Sequence, residues 1–387
     1  MNRRMFLRNV NMAAASLATG GGLLGCVKKP INAPIAAGAL PVNLPETACH
    51  LPRVRVSADR EIRTVVGLRP FRPSGFRVAK EIVGDTAVVH NYGHGGGGIT
   101  LSWGTSKLAV DLGLPGHVGP VAVLGCGAVG LATARLAQEA GFDVTIYTKA
   151  MPPETTSNIA GGQWFPATVY DSESTLTPEF TQQFLAAAQY GYRRYQIMTD
   201  PRYGIRWMRN YSLSDTPWRS PINTGLYGLI QGMLPETKDL PVGTHPFGSK
   251  FARQFDGMIV EPPIYLPAML TDVRIAGGKI VVREMKSLDD VRGLREKLVF
   301  NCTGLGAKAL FGDEELIPIR GQLTFLLPQP EVTYATLYEN TYMFSRRDGV
   351  LLGGTHEIGD WDLQPDLPTK AAILAKQARL FDGMRDC

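Results

Sequence analysis

Charge is scarce in this 387-residue chain, and the scarcity excludes several readings at once. Only 19% of the residues are charged against 44% hydrophobic, which disfavours disorder and allows a large core divided over about two domains. The formal charge of +5 owes three units to Arg3, Arg4 and Arg8 in a start, residues 1–25, that holds no acid. Without that segment about +2 is left, too little to argue for nucleic acid. No later apolar run approaches membrane-spanning length, and no internal repeat is visible. His90 and His94 stand without the further ligands that a metal site needs, so no metal is expected. In their Gly-rich turn they are expected to hydrogen-bond backbone.

What the first residues do hold is a processing pattern. Asn2-Arg3-Arg4-Met5-Phe6-Leu7-Arg8 resembles a twin-arginine export signal, followed by a weakly apolar stretch over 12–25. Leu23-Leu24-Gly25-Cys26 resembles a lipobox, with Leu24 a departure from the usual residue. Cleavage there would leave Cys26 as a lipidated first residue and the protein anchored on the periplasmic side. An uncleaved anchor or a chance basic start are the alternatives. Residues 27–47, rich in Pro and Ala, read as a tether.

Along the rest of the chain, 53–68 and 77–91 alternate and carry β-branched residues, predicting strands on either side of a Pro-interrupted turn. Residues 101–112 read as a helix and 113–120 as a loop. Then come a buried strand at 121–124, a helix at 128–140 and a second strand at 143–147. Residues 178–198 are helical, with Thr177 as N-cap and Pro178 in the first position, where its missing N–H costs nothing. Residues 207–256 look irregular. Strands follow at 279–283, 298–301 and 322–327, a hairpin joins 342–344 to 350–353, and 369–381 form a last helix.

Chemistry begins at Gly125-Cys126-Gly127-Ala128-Val129-Gly130. Between a strand and a helix, its first glycine permits a tight turn, the second a close approach to a pyrophosphate, and the third close helix–strand packing. An acid normally closes the second strand of such a unit and holds the ribose hydroxyls. This chain has Tyr147-Thr148-Lys149 instead, and a lysine cannot accept from a hydroxyl. Lys149 is left to pair with a phosphate or to remain solvated.

Further segments resemble the FAD-dependent D-amino-acid oxidase family, which includes D-aspartate oxidases. They are HNYGHGGGGIT (90–100), GLRPFRP (67–73), TTSNIAGGQW (155–164), NCTG (301–304), RGQ (320–322) and LLGGTHEIGDW (351–361). The likeness covers nearly everything from Leu51 onward. In that family the fingerprint opens the protein and the HNYGHGG segment closes it, whereas here the order is reversed. The chain therefore resembles a circularly permuted member whose old termini are fused through 114–120. The fold class implied is α/β, a Rossmann-like FAD-binding domain (82–165 and 268–318) with a mixed-sheet α+β substrate domain (51–81, 166–267 and 319–387). Residues 1–26 are the signal and 27–50 the linker.

The resemblance implies FAD as cofactor. Its expected contacts are Gly125, Gly127, Ala128, Val129 and Gly130; Thr148 and Lys149; Thr155, Thr156 and Ser157; Gly161, Gly162 and Gln163; Met285, Thr303 and Gly304. Gly95, Gly96, Gly97, Gly98, Ile99 and Thr100 would cover the flavin edge. For the substrate it implies Arg69 on the carboxylate, Tyr342 beside it, Tyr338 as a lid and the Gly96 carbonyl on the amine. Arg72 reads as a fold-supporting ion pair. No general base is required for an amine that loses its proton on binding, so the protein positions the substrate while the flavin takes the electrons.

Specificity divides the family. Residues 353–361 look closer to D-aspartate oxidases, yet His356 stands where those carry an arginine and Ala167 where they carry a histidine. Neutral D-amino acids are favoured. D-aspartate oxidase, glycine or sarcosine oxidase, or a membrane-tethered dehydrogenase passing electrons to a quinone or other carrier in place of oxygen are the alternatives. Cys126 and Cys302 read as buried small residues. In an unpermuted chain Cys49 and Cys387 would be near neighbours, so a disulfide between them is expected. The oligomeric state is left open.

Overall fold

Four apolar residues in a row, Val121–Leu124, are buried on both faces, as the middle of a parallel sheet requires. Leu298–Asn301 lies beside them in parallel, equally buried. The computed structural model describes residues 48–218 and 225–385. The six-stranded sheet built around this pair runs Arg77–Val83, Thr86–Tyr92, Leu298–Asn301, Val121–Leu124, Val144–Thr148 and Lys279–Val282. All neighbours are parallel except the first hairpin. Helices Gly98–Gly113, Ala128–Glu139 and Pro262–Ile275 bring apolar residues to the core cluster beside the sheet. This is the βαβ unit that the fingerprint spacing predicts.

A second, nine-stranded mixed sheet carries Glu61–Phe71 at one edge and runs next through Ile317–Leu326, Gly349–Gly353, Thr341–Arg346 and Tyr334–Tyr338. It continues through Ile205–Ser214 and Phe251–Val260 to Lys238–Leu240, with the ninth strand, Glu357–Ile358, paired beside Ile317–Leu326. The last helix, Leu367–Asp382, contributes to one core cluster with Tyr334 and Met343, while Phe325 and Phe344 belong to another.

Several expectations are corrected. The strand expected over 53–68 begins only at Glu61, after a 3-10 turn at Ala58–Arg60, and it runs on through Pro70 to Phe71. Pro70 is tolerated because the strand is at the sheet edge, where it pairs with Pro318. The region 207–256 is not irregular throughout. Ile205–Ser214 and Phe251–Val260 form a ten-residue antiparallel pair, and only the stretch between them lacks long elements. The strand Arg77–Val83 belongs wholly to the six-stranded sheet, so a boundary at 81/82 would cut it. The strand Tyr334–Tyr338 and the helix Pro262–Ile275 were not anticipated. The export signal, Cys26, the tether and Cys387 lie outside the described residues. Among the described residues no helix is long and apolar enough to cross a membrane. Cys49 is disulfide-bonded. Its Sγ lies 3.7 Å from Thr244 O, and Arg385 N donates to Pro246 O at 2.8 Å, so the two ends of the described chain meet at one turn.

The helix Pro178–Ile197 begins as its sequence dictates, Thr177 Oγ1 accepting from Phe180 N at 3.1 Å. It packs on Gly98–Gly113 through Gly104, where a Cβ would overlap the backbone of Ala187. Tyr195 OH reaches across to donate to Ile99 O at 2.7 Å. Alanine is the better helix former by about 1 kcal/mol, yet Gly104→Ala is expected to destabilise by about 1–3 kcal/mol through overpacking. The denaturant midpoint checks this, and a midpoint at or above wild type would contradict the packing argument.

Candidate active site

The fingerprint adopts the geometry its residues predict. Gly125 has φ +103°, and its N–H donates to Tyr147 O at 2.8 Å. A Cβ there would come within 2.6 Å of Cys302 O, and one on Gly130 would overlap Gly125 O. Gly127 faces Ser157, whose Oγ accepts from Ala128 N at 3.0 Å. The positive end of the helix Ala128–Glu139 therefore opens onto a glycine-lined cradle closed by the 155–157 segment. These residues fit a diphosphate: a helix N-terminus, a backbone that can be approached closely, and a hydroxyl already aimed at the first N–H.

The other motifs converge on this cradle. Thr303 N and Oγ1 donate to Asn301 Oδ1 at 3.2 and 2.7 Å, and Asn301 Nδ2 lies 3.0 Å from His90 Nδ1. His90 Nε2 lies 3.1 Å from Glu81 Oε1, and His94 Nε2 lies 2.8 Å from Thr105 Oγ1. Both histidines thus bond side chains, not the backbone expected of them. Gly304 sits against Pro70, and Phe71 bridges to His94, which brings the loop of Gly95, Gly96 and Gly97 to the tip of the strand carrying Arg69. Gly96 N–H is used by Thr168 O at 3.3 Å. Ile99 and Thr100 lie in the first turn of the helix that Gly98 opens, and Thr100 Oγ1 donates to Phe165 O at 3.1 Å.

Arg69 is positioned by what its neighbours lack. Its guanidinium crosses Gly321, where a Cβ would overlap it, and Nη1 donates to Arg320 O at 3.3 Å and Thr355 O at 3.5 Å. Tyr342 lies beside Arg69 and over Gly353, while its ring stacks on Phe344 at 4.8 Å. Burial raises the Tyr342 hydroxyl pKa, and Arg69 opposes the shift, so the phenol stays protonated and able to donate. Gly161 packs on Phe344. The 160–161 turn is pinned by Arg346, whose Nη1 donates to Ala160 O at 2.7 Å and Gly161 O at 3.3 Å. Arg346 is fully buried with Asp348 as its counter-ion, and nothing in the sequence motifs pointed to it. Gln163 Nε2 donates to Asn210 Oδ1 at 3.0 Å, holding the next residues of the same segment to the large sheet.

Tyr338 is a correction. It pairs with Thr341 across the hairpin while Leu337 pairs with Tyr342, so it points to the face opposite Tyr342. There it packs with the last-helix cluster, under the Lys376 ammonium, and its OH donates to Asp215 Oδ2 at 2.7 Å. That hydrogen bond, more than burial, lifts its pKa to about 12. The structure does not bring Tyr338 to Arg69.

Thr148 Oγ1 donates to Ala150 O at 2.6 Å, and the exposed Lys149 lies 3.9 Å from Glu284. Met285 follows Glu284 at the same sheet edge and packs beside Tyr147 in one apolar cluster. Burial raises the Cys126 and Cys302 thiols to about 12, so neither is a nucleophile at neutral pH. His356 adjoins Thr355, and its pKa is lowered by burial first and then by Arg69, leaving a neutral imidazole at pH 7.

A two-sheet protein with a βαβ fingerprint and a half-buried arginine near it has the architecture of a dinucleotide-dependent enzyme. The model of the DAO family, FAD dependent oxidoreductases, matches residues 20–112 and 120–387. The chain belongs to that family, is an FAD-dependent oxidoreductase, and uses FAD as its cofactor. A D-amino-acid oxidase of Rubrobacter xylanophilus is 30% identical over 276 residues, covering 68% of this chain and 77% of that one. A human D-aspartate oxidase is 28% identical over 266 residues, 66% and 74% of the two chains. Glycine oxidases from Geobacillus kaustophilus (TM-score 0.52, 18% identity, covering 69% and 80% of the two chains) and Bacillus cereus (TM-score 0.51, 16% identity, covering 68% and 78%) share the fold.

The buried His94 sets a pH response. Burial pushes its pKa from the ordinary 6.5 down to about 3. Unfolded chains take up a proton below pH 6.5 that the folded protein refuses, so stability is unaffected above that pH and falls as the pH drops towards 3. The loss expected by pH 4.5 is about 2–3 kcal/mol. Urea unfolding as a function of pH should give a flatter profile for His94→Gln than for wild type, and parallel profiles would refute it.

Proposed function

We propose that this protein oxidises D-amino acids with neutral side chains to the imino acid, which hydrolyses to the 2-oxo acid and ammonia, with oxygen reduced to peroxide. The observation that carries this reading is Arg69, beside Tyr342, on the strand whose tip Phe71 bridges to His94 next to the Gly96 loop and whose Pro70 faces Gly304. Arg69 offers a planar fork to the substrate carboxylate, the Tyr342 hydroxyl adds a second donor, and the Gly96 carbonyl accepts from the amine. FAD bound in the cradle supplies the acceptor for the hydride leaving Cα. Everything else the chain does is to orient the Cα–H bond and exclude water. The neutral His356 beside Arg69 offers no positive charge to an acidic side chain, which supports neutral substrates over D-aspartate. The name of the Rubrobacter relative supports the D-configuration.

A screen of D-amino acids, D-aspartate, glycine and sarcosine against the holoenzyme, reading peroxide and dye reduction in parallel, tests this. Peroxide with neutral D-amino acids is the expected result. Rapid dye reduction without peroxide would assign electrons to a membrane carrier instead, the reading favoured by the twin-arginine and lipobox-like residues 2–26, which would tether the enzyme on the periplasmic side. Arg69→Lys should lower kcat/KM about 100-fold or more, since an ammonium cannot hold a carboxylate in a fork, with FAD affinity unchanged. Equal kcat/KM would remove Arg69 from the carboxylate site.

The motif order and the break of the family match at 113–119 support a circular permutation. The disulfide-bonded Cys49, set at the turn where Arg385 also bonds, supports new ends cut at that place. A chain reordered to begin at Val121, with residue 387 linked to residue 48 and an end at Leu112, should fold, bind FAD and keep kcat/KM within a few-fold. Failure of that chain to fold, with wild type folding normally, would sink the permutation.

A further inference from the structure

In a nucleotide-binding βαβ unit the ribose hydroxyls are met by a carboxylate at the carboxyl end of the second strand. Here that strand is Val144–Thr148, and none of its last residues can serve. Tyr147 turns inward, its OH donating to the buried Glu296 at 3.2 Å. The Thr148 hydroxyl donates to Ala150 O, and Lys149 has donors only.

The neighbouring strand supplies what is missing. Lys279–Val282 runs parallel to Val144–Thr148 with Thr148 opposite Val282, and Arg283 N donates to Thr148 O at 2.8 Å. Its next residue, Glu284, therefore emerges at the same carboxyl edge of the sheet. Glu284 Oε1 lies 3.9 Å from Lys149 Nζ, and both side chains are open to solvent, 51% and 72% exposed. Arg283 does not neutralise it, because Arg283 Nη2 is drawn to Asp290 at 2.8 Å. A carboxylate thus stands beside the position where the second strand would normally present one, with Lys149 as its counter-ion.

We propose that Glu284 is the ribose-binding acid of this FAD site, accepting from the hydroxyls of the adenosine moiety, the acid having moved from the second strand to its parallel neighbour. The proposal rests on the reading of the fingerprint cradle as the FAD site. Carboxylates accept strongly from vicinal hydroxyls, and loss of a charged acceptor typically lowers affinity by about tenfold or more.

Protein stripped of flavin tests it without reference to turnover. Wild type should bind ADP more tightly than 2′-deoxy-ADP or 3′-deoxy-ADP, read by competition against FAD fluorescence quenching. Glu284→Ala should weaken FAD and ADP about tenfold and erase the preference for the intact ribose, while the thermal midpoint of the stripped protein is unchanged. Lys149→Ala, which leaves the carboxylate in place, should keep that preference. A Glu284→Ala protein that still discriminates ADP from its deoxy analogues overturns the proposal while leaving the cradle intact. Wild-type protein that does not bind FAD at all overturns the cradle reading and this one with it.

Discussion

The strand Glu61–Phe71 is the constraint on which the site depends. It is an edge strand of the large sheet, paired along its length with Ile317–Leu326. Its tip, still paired with Pro318 and Ile317, touches both nucleotide-facing loops, Pro70 against Gly304 and Phe71 against His94. Gly67, at its middle, lies under Ile159 of the segment that closes the fingerprint cradle. Any shift of this strand along its partner by two residues would remove Arg69 from Gly321 and the tip from both loops together. Register is what couples carboxylate binding to cofactor binding.

Two arginines three residues apart on this segment show how context divides their roles. Arg72 gives its donors to Asp313, Glu315, Ser74 and Gly75 O, and Asp313 also accepts from Tyr92 OH at 2.8 Å. Breaking such a buried, fully committed network leaves uncompensated charge, so it anchors the turn that follows the strand. Among the described residues Arg69 donates to two backbone carbonyls, at 3.3 and 3.5 Å, and lies beside the Tyr342 phenol, so a planar anion is the partner its fork still suits. Arg346 is a third case, a buried cation balanced by Asp348 and spent on carbonyls of the 160–161 turn.

Much of this was legible in the sequence, because the fingerprint and its strand and helix are local: their residues lie within one continuous stretch, and glycine roles there follow from backbone geometry alone. What failed was the lid role that the resemblance implied for Tyr338. Tyr338 and Tyr342 are four apart, a spacing that reads as one face of an uninterrupted element, yet a turn at Glu339 and Asn340 intervenes, and the hairpin register sends them to opposite faces. Glu284 was invisible for the converse reason. Its neighbour Lys149 is more than a hundred residues away, and only the parallel register of two strands reveals the pair. The strands Ile205–Ser214 and Phe251–Val260 were obscured because Trp207, Arg209 and Asp256 interrupt the apolar alternation that pairing then restores.

The position of the proposed junction explains how such a reordering could leave the chemistry alone. Residues 114–120 lead into Val121, the amino end of the fingerprint strand, whereas the cradle opens at its carboxyl end. In an open parallel sheet ligands bind only at the carboxyl edge, so the junction lies on the wrong side of the sheet to touch them. Its residues bear this out sterically: Gly116 and Gly119 have positive φ and open space around them, and Val118 is 92% exposed. Beyond Leu114, which packs in the core, and His117, which stacks on Phe142, such a loop carries mainly a closure cost that grows slowly with length. In the proposed permutation the other end of the cut would fall at the turn near Thr244, beside the last helix, on the face away from Tyr342. Neither place holds a residue that the site uses, which is the physical condition for a chain to be opened and rejoined without rebuilding its active centre.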